Sequence, residues 1–391
     1  MKAPAAPAER RFAPTALMLG NFVTGCSVIG PAGMLGELSE GLGVSIRDAG
    51  LLITFGAVVL CVGSPATAWL TSRIERRTLL VSTLAVFAVT NAASAFASSY
   101  AMLLALRLVM LAIGALYTPQ AAGTASLIVR PEKRGSTIAY IFLGWSLAAA
   151  VGLPLITFIA SRYGFRAAYG AIGAVACLSC LLLAWRLPGG LLGERVDLKT
   201  WASVGRNRMI LLLLLITTLQ MSGQFVVFTF MGPLLAKLTG AGPDAIGLVF
   251  AIYGAFGFVG IAIATQIVDR WGAYKSSLLF TSLLFAGVGG WALSAGHYAL
   301  MAASVVVWGL GFASTNSMQQ VRLVAAAPAL ASASVSLNTS VLYIGQALGS
   351  AIGGVLYARD LLHASGYVAA GFVALALITV VFTRRMPAAK S

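Results

Sequence analysis

The chain has 391 residues, of which 59% are hydrophobic and only 9% charged, with a formal net charge of +15. That balance excludes an ordinary soluble domain, and its basic residues are spread over alternate loops, not gathered into a patch for nucleic acid. No P-loop, no Ser/His/Asp set and no metal-ligating cluster is present, so neither an enzyme nor a cofactor is expected.

The elements run as follows. Residues 1–12 form a leader carrying Arg10 and Arg11. No cleavage site follows a short apolar core, so the first span should stay as an anchor. A bilayer-crossing helix needs roughly 20 apolar residues. Twelve stretches qualify: 13–36, 47–70, 78–97, 101–128, 136–160, 167–185, 209–236, 245–268, 276–294, 299–323, 332–357 and 365–383. Their apolar runs are continuous rather than alternating, which excludes a β-barrel. The expected fold is an all-α membrane protein: a bundle over 13–185, a linker over 186–208, a second bundle over 209–383 and a tail over 384–391.

Nineteen Lys and Arg residues fall in the leader, the linker, the tail and the even-numbered loops. Five (Arg47, Arg162, Arg166, Lys237 and Arg359) fall on the other side, and Arg107 and Arg322 lie within spans. The positive-inside rule puts both termini and the linker in the cytoplasm.

Polar residues interrupt the spans in chain order. Asn21 and Ser27 lie in the first, Asn91 in the third, and Arg107, Tyr117 and Gln120 in the fourth. Gln220 and Gln224 follow in the seventh, Asn316, Gln319 and Gln320 in the tenth, and Asn338 and Tyr343 in the eleventh. Buried amides in lipid must face each other or a watery interior. Arg107 is costly so deep in a span unless solvated or paired. It either bonds backbone carbonyls in the bundle or offers its forked donors to an anionic substrate. Cys177 and Cys180 form a C-x-x-C on one apolar helix and are read as packing residues. Trp145 and Trp291 are read as lipid-facing or packing aromatics. All eleven carboxylates lie in loops or at span ends, with Glu37 and Asp48 nearest to the membrane interior.

Small residues form stripes. The fifth span has Gly144, Ala148 and Gly152, then Pro154, and the eleventh has Gly345, Gly349 and Gly353. Such stripes let helices approach closely in lipid, where no hydrophobic force draws them together. Gly254, Gly257 and Gly260 mark the eighth span, where a face either packs statically or slides.

The two halves repeat. At an offset of 197 positions Met34 falls on Met231, Gly43 on Gly240, Gly50 on Gly247, Gly63 on Gly260, Arg73 on Arg270, Gly114 on Gly311, Thr118 on Thr315, Pro131 on Pro328 and Gly152 on Gly349. The segment Gly63 to Arg77 resembles the loop signature G-x-x-x-D-R-x-G-R-R of the major facilitator superfamily. Its copy, with Asp269-Arg270-Trp271-Gly272, resembles it more closely. Arg107 looks like the family's intramembrane arginine, and Gly144 to Pro154 looks like the fifth-span motif of its antiporters. Val44-Ser45 through Leu52, with Arg134-Gly135, is similar to the twelve-span drug:H⁺ antiporter group, whose members export drugs, sugars and metabolites.

The resemblance implies two six-helix bundles related by a pseudo-twofold along the membrane normal, rocking about a midplane cavity in a bacterial inner membrane. Spans one, four, seven and ten would line that cavity, offering Asn21, Arg107, Tyr117, Gln120, Gln220, Gln224, Asn316 and Gln320 to a small-molecule substrate. Arg73, Arg76, Glu132, Asp269 and Arg270 would clamp the cytoplasmic ends. Ser72 stands where the second half has Asp269, so the first clamp would need Glu75 or Glu132. Protons are the implied partner ion, although Ser27 lies about where a first-span carboxylate is expected. The reading is therefore a monomeric exporter of a small polar or anionic compound. Two alternatives stay open: a proton-independent facilitator or exchanger, and a multidrug exporter of lipophilic compounds.

Overall fold

The computed structural model describes residues 12–71, 74–129, 134–192, 204–327 and 330–385. Among them no strand occurs, and eleven helical stretches are long and apolar enough to cross a membrane. One of these, Tyr140–Arg186, contains both the fifth and the sixth expected spans. They part at Gly164, whose φ of 81° turns the chain back. The eighth and ninth spans, counted separately among the eleven, lie in one continuous helix, Pro243–Leu293, and part at Gly272, φ 77°. Twelve crossings result.

Prolines decide where the spans bend. The first span is a helix over Ala13–Ile29, a 3₁₀ turn over Gly30–Gly33 and a second short helix over Leu35–Leu42. Pro31 has no N–H to return to the carbonyl of Ser27, so the α-ladder stops there. The fourth span breaks between Tyr100–Gly114 and Tyr117–Ile128. Pro119 explains it: its ring crowds the carbonyl of Ala115 and gives that carbonyl no donor. Asn316 stands at the matching place in the second half, and Tyr298–Ala326 is unbroken. In the fifth span Pro154 follows a π-turn over Ala148–Gly152, one extra residue that absorbs the missing bond.

The repeat is visible in the backbone. The short helix Leu35–Leu42 ends at Gly43, φ 64°, and its counterpart Met231–Thr239 ends at Gly240, φ 70°. Both are left-handed caps, a conformation in which a Cβ is strained. Ser45 then opens Ile46–Leu70, accepting the Asp48 backbone N–H at 3.0 Å while its hydroxyl donates to the Asp48 carboxylate at 2.6 Å.

Within each half the glycine stripes seat one span on another. At Gly144 a Cβ would lie 2.7 Å from the Phe22 backbone nitrogen and 2.8 Å from Asn21 Cβ. At Gly349 it would lie 3.0 Å from both the Ser222 carbonyl carbon and the Val226 nitrogen. The fifth span thus packs on the first, and the eleventh on the seventh. At Gly152 the obstacle is Cys26 Sγ, at Gly345 it is Thr218, and at Gly353 it is Val226 and Phe230. The halves meet at the end of the bundle away from the termini. There Thr54 donates to Ser350 at 2.9 Å, Gly50 lies under Phe230, Gly254 rests on the backbone of Ala149 and Ala150, and Arg162 approaches Asp244 at 3.9 Å.

Gly144→Ala and Gly349→Ala should each lower stability by about 1–3 kcal/mol, because the new methyl meets backbone that has no room to shift. Gly371→Ala, in the twelfth span with nothing within 4 Å, should leave the melting temperature unchanged or raise it. Thermal unfolding of the three purified variants checks this.

Candidate functional site

The spans expected to line a cavity hold their polar residues in two conditions. Some are already spent on other helices. Asn21 is fully buried, donates to the Ile141 carbonyl at 3.1 Å and accepts the Thr118 hydroxyl at 2.8 Å. Trp145 Nε1 donates to the same hydroxyl at 3.1 Å. This chain of bonds ties spans one, four and five together, and Trp145 is part of it rather than a plain packing ring. Tyr117 lies against Gly20, which leaves room for its ring, and its hydroxyl donates to the Leu17 carbonyl at 3.3 Å.

Arg107 is 2% exposed. Its Nε donates to the Leu52 carbonyl at 2.7 Å, Nη1 to that of Ser27 at 2.8 Å and Nη2 to that of Val28 at 2.6 Å. Ser27 is the residue whose carbonyl Pro31 leaves without a donor. The guanidinium therefore caps the broken first span and pins it to the second, and Gly56 gives it space there. These are charge-assisted bonds, one of them to the Ser27 carbonyl that Pro31 leaves unpaired, and in lipid there is no water to replace them.

The second half has its own network. Gln224, fully buried, accepts from Trp308 Nε1 at 3.2 Å and from the Tyr253 hydroxyl at 3.5 Å. Tyr253 also packs edge-on to Trp308, with ring centroids 5.3 Å apart. Asn338 donates to Asn316 at 2.9 Å and accepts from Thr217 at 2.7 Å, linking spans seven, ten and eleven.

The other residues keep hydrogen-bonding capacity. Gln220 donates to Thr281 at 2.9 Å, but its Oε1 is buried without a partner. Gln319 donates to Ser277 at 3.2 Å and its Oε1 is likewise unpaired. Gln120, 7% exposed, and Gln320, half-buried, make no side-chain hydrogen bond among the described residues. Unpaired buried amide oxygens are uncommon and costly, which marks these positions for a ligand or water.

Of the residues expected to clamp the terminal-side ends, Arg73 and Glu132 lie outside the described residues, as does the Asp269 side chain. Arg270 is exposed. Arg76 is buried, with Nε and Nη1 unpartnered, and its backbone N–H donates to Leu191 O at 2.8 Å. Glu75 is committed elsewhere: its carboxylate accepts from the Gly190 N–H and from the Thr78 hydroxyl at 2.8 Å. Those bonds, with the Arg77 charge nearby, hold its carboxyl below the usual range. Arg77 in turn donates to the Ala184 carbonyl at 2.5 Å. The chain leaving the sixth span is thereby fastened to the loop between the second and third. At the opposite end Glu37, on the short helix after the first-span break, is half-buried. Burial, then the Glu40 charge, pushes its carboxyl above the ordinary value.

Several participants were not singled out from sequence: Thr118, Thr281, Trp308 and the clearing at Gly56. The one signal available was Pro31, which announces an unpaired carbonyl at Ser27. Among the described residues no group of three His, Cys, Asp or Glu side chains lies together to hold a metal.

A duplicated twelve-span bundle with an amide-bearing interior is the architecture of a membrane transporter that carries no nucleotide engine of its own. The family model described as Major Facilitator Superfamily matches residues 17–336 and 213–391, and the chain belongs to that family. It is 30% identical over 376 residues to the inner membrane transport protein YdhP of Escherichia coli (strain K12), covering 95% of each chain. A probable sugar efflux transporter of Mannheimia succiniciproducens is 25% identical over 363 residues, covering 91% of this chain and 90% of its own. The fold matches a bacterial homologue of the human lysosomal transporter Spinster in an inward-facing, unoccupied conformation. That match has a TM-score of 0.76 and 16% identity, and covers 97% and 98% of the two chains.

Arg107→Ala should lower stability by at least about 1 kcal/mol, since the orphaned Ser27 carbonyl alone costs roughly 1–3 kcal/mol. A thermal melt measures it; an unaltered melt with transport lost would assign the guanidinium to the solute instead. The Glu75 contact has the sign of a depressed carboxyl. Its contribution is full above the ordinary value of 4.5 and is lost as pH falls through the lower folded value. The protection factor of the Gly190 amide should therefore fall as pH drops below the ordinary carboxylate value of 4.5, and Glu75→Gln should show the lowered protection already at neutral pH.

Proposed function

We propose that the protein is a monomeric secondary exporter of a small polar or anionic solute, working by alternating access in a bacterial inner membrane. Both termini, the linker over 186–208 and the tail over 384–391 lie in the cytoplasm on this reading, which the distribution of basic residues supports. The contacts between halves at Thr54–Ser350 and Gly254–Ala150 then close the outer end.

The observation that carries the choice of solute is the set of amides with unused capacity: Gln120, Gln320 and Oε1 of Gln220. They offer hydrogen bonds to hydroxyl, carboxylate or amide groups, and no carboxylate lies deep in a span to attract a lipophilic cation. That the curated relatives include one named a probable sugar efflux transporter agrees with a polar cargo. On this reading Asn21, Tyr117, Gln224 and Asn316 would shape the central cavity, and Arg107 would contribute fixed positive charge without leaving its carbonyls. Arg73, Arg76, Glu132, Asp269 and Arg270 would clamp the cytoplasmic ends when the outer side opens, each exposed pair contributing about 0.2–1 kcal/mol. Gly144, Gly152, Pro154, Gly345, Gly349 and Gly353 keep each half rigid as it rocks.

Coupling to protons would run through Glu37. Its half-buried carboxyl, raised above the ordinary range, lies on a short helix that touches the opposite half. The second reading, a proton-independent exchanger, is favoured by the lack of a carboxylate deep in any span.

Uptake of radiolabelled sugars, organic acids and a lipophilic cation into inside-out proteoliposomes tests both. Polar solutes should accumulate only under an imposed pH gradient, and Glu37→Gln should remove that dependence. Gln120→Ala and Gln320→Ala should each raise KM roughly 3- to 10-fold, as expected for one hydrogen bond of about 0.5–1.5 kcal/mol, without shifting the melt. Flux of the cation alone would sink the proposal, and flux of polar solutes indifferent to pH would select the exchanger.

A further inference from the structure

A groove of about 380 Å³ runs along the seam between the halves near the end away from the termini. Pro154, Leu155 and Phe158 of the fifth span form one wall, and Asp244, Gly247 and Leu248 of the eighth form the other. It opens outward, since Leu155 is 52%, Phe158 40% and Leu248 54% exposed. In a protein that crosses the bilayer, such side chains face hydrocarbon. The groove has a reason in the sequence: Pro154 with its π-turn displaces the fifth span, and Gly247 leaves the opposite wall without a side chain, its Cβ position 4.0 Å from the Pro154 carbonyl.

The mouth is not apolar. Asp244 lines it, and Arg162 lies 3.9 Å from Asp244 while its guanidinium stacks 4.0 Å over the Phe158 ring. That separation is the loose limit of an ion pair, and both side chains remain largely solvent-facing. An arginine and an aspartate side by side complement a headgroup bearing a phosphate beside a primary ammonium: the fork of Arg162 takes the phosphate and the Asp244 carboxylate accepts the ammonium N–H. A trimethylated ammonium has no N–H to give, and an anionic headgroup would meet Asp244 as a like charge.

We propose that this seam is a phospholipid site, with one acyl chain in the groove and a phosphoethanolamine headgroup on Arg162 and Asp244. Because the walls belong to different halves, the site exists only while they are together at this end. Bound lipid therefore stabilises the closed outer end, a consequence that rests on the alternating-access reading; the binding itself does not.

Native mass spectrometry of the delipidated protein, titrated with phosphatidylethanolamine, phosphatidylcholine and phosphatidylglycerol of identical chains, tests the site. One phosphatidylethanolamine should be retained at least about fivefold more tightly than either competitor, a difference of roughly 1 kcal/mol. Asp244→Asn should erase the preference over phosphatidylcholine, and Gly247→Phe should prevent retention. Leu155→Trp, at an exposed position, should also prevent retention and serves if Gly247→Phe fails to fold. Equal retention of all three lipids, or retention unaffected by filling the groove, overturns the proposal. Selective retention with no effect of the lipid on flux in proteoliposomes leaves the site standing and refutes only its link to alternating access.

Discussion

A carbonyl without a donor has no water to turn to inside a membrane, and this constraint organises the first half of the molecule. Pro31 interrupts the first span and frees the Ser27 carbonyl; Arg107, three spans further along the chain, fills the gap and takes Val28 and Leu52 with it. A charge that would be costly alone becomes tolerable because its donors go to three backbone carbonyls, one of which has no other donor. The same bonds fix three spans relative to one another. The first span can therefore be broken, and present a short tilted helix bearing Glu37, without losing its place in the bundle.

The second constraint is contact distance. Between helices in lipid, stability comes from close packing and interhelical hydrogen bonds rather than from expulsion of water. The fifth span on the first, and the eleventh on the seventh, use glycine for the same purpose at Gly152 and Gly349, matched by the repeat. Between the halves, the tight approach seen among the described residues is at the outer-end seam, where Gly254 rests on the Ala149–Ala150 backbone. Packing that tolerates no extra methyl within each half leaves relative movement of the halves as the softer degree of freedom.

The fold was largely legible because its signals are periodic and long. Twelve apolar runs, the 197-residue repeat and the paired glycines Gly43 and Gly240 are properties of a single chain read along its length. The breaks were legible in principle, since Pro31, Pro119 and Pro154 each have a known local effect, yet reading runs of hydropathy smooths over them. The partners were not legible. Nothing along the sequence says that Trp145 bonds Thr118, or that Trp308 and Tyr253 converge on Gln224, because those contacts depend on which faces meet after packing.

The asymmetry between the halves follows from the same distinction. Duplication supplies two copies of one backbone, but the second half has Asn316 where the first has Pro119, so its tenth span runs straight and uses an amide where the fourth uses a bend. The straight helix presents Asn316, Gln319 and Gln320 along successive turns, and two of these keep an amide oxygen or a whole amide unpaired. The bent fourth span instead spends Tyr117 and Thr118 on the first span and leaves Gln120 as its one free amide among those residues. Among the glutamines, unused hydrogen-bonding capacity thus lies mostly in the second half, at Gln220, Gln319 and Gln320 against Gln120, while the fixed charge of Arg107 belongs to the first. On the reading proposed above, a solute held between them would meet neutral donors and acceptors from the second half and only the field of the buried Arg107 from the first.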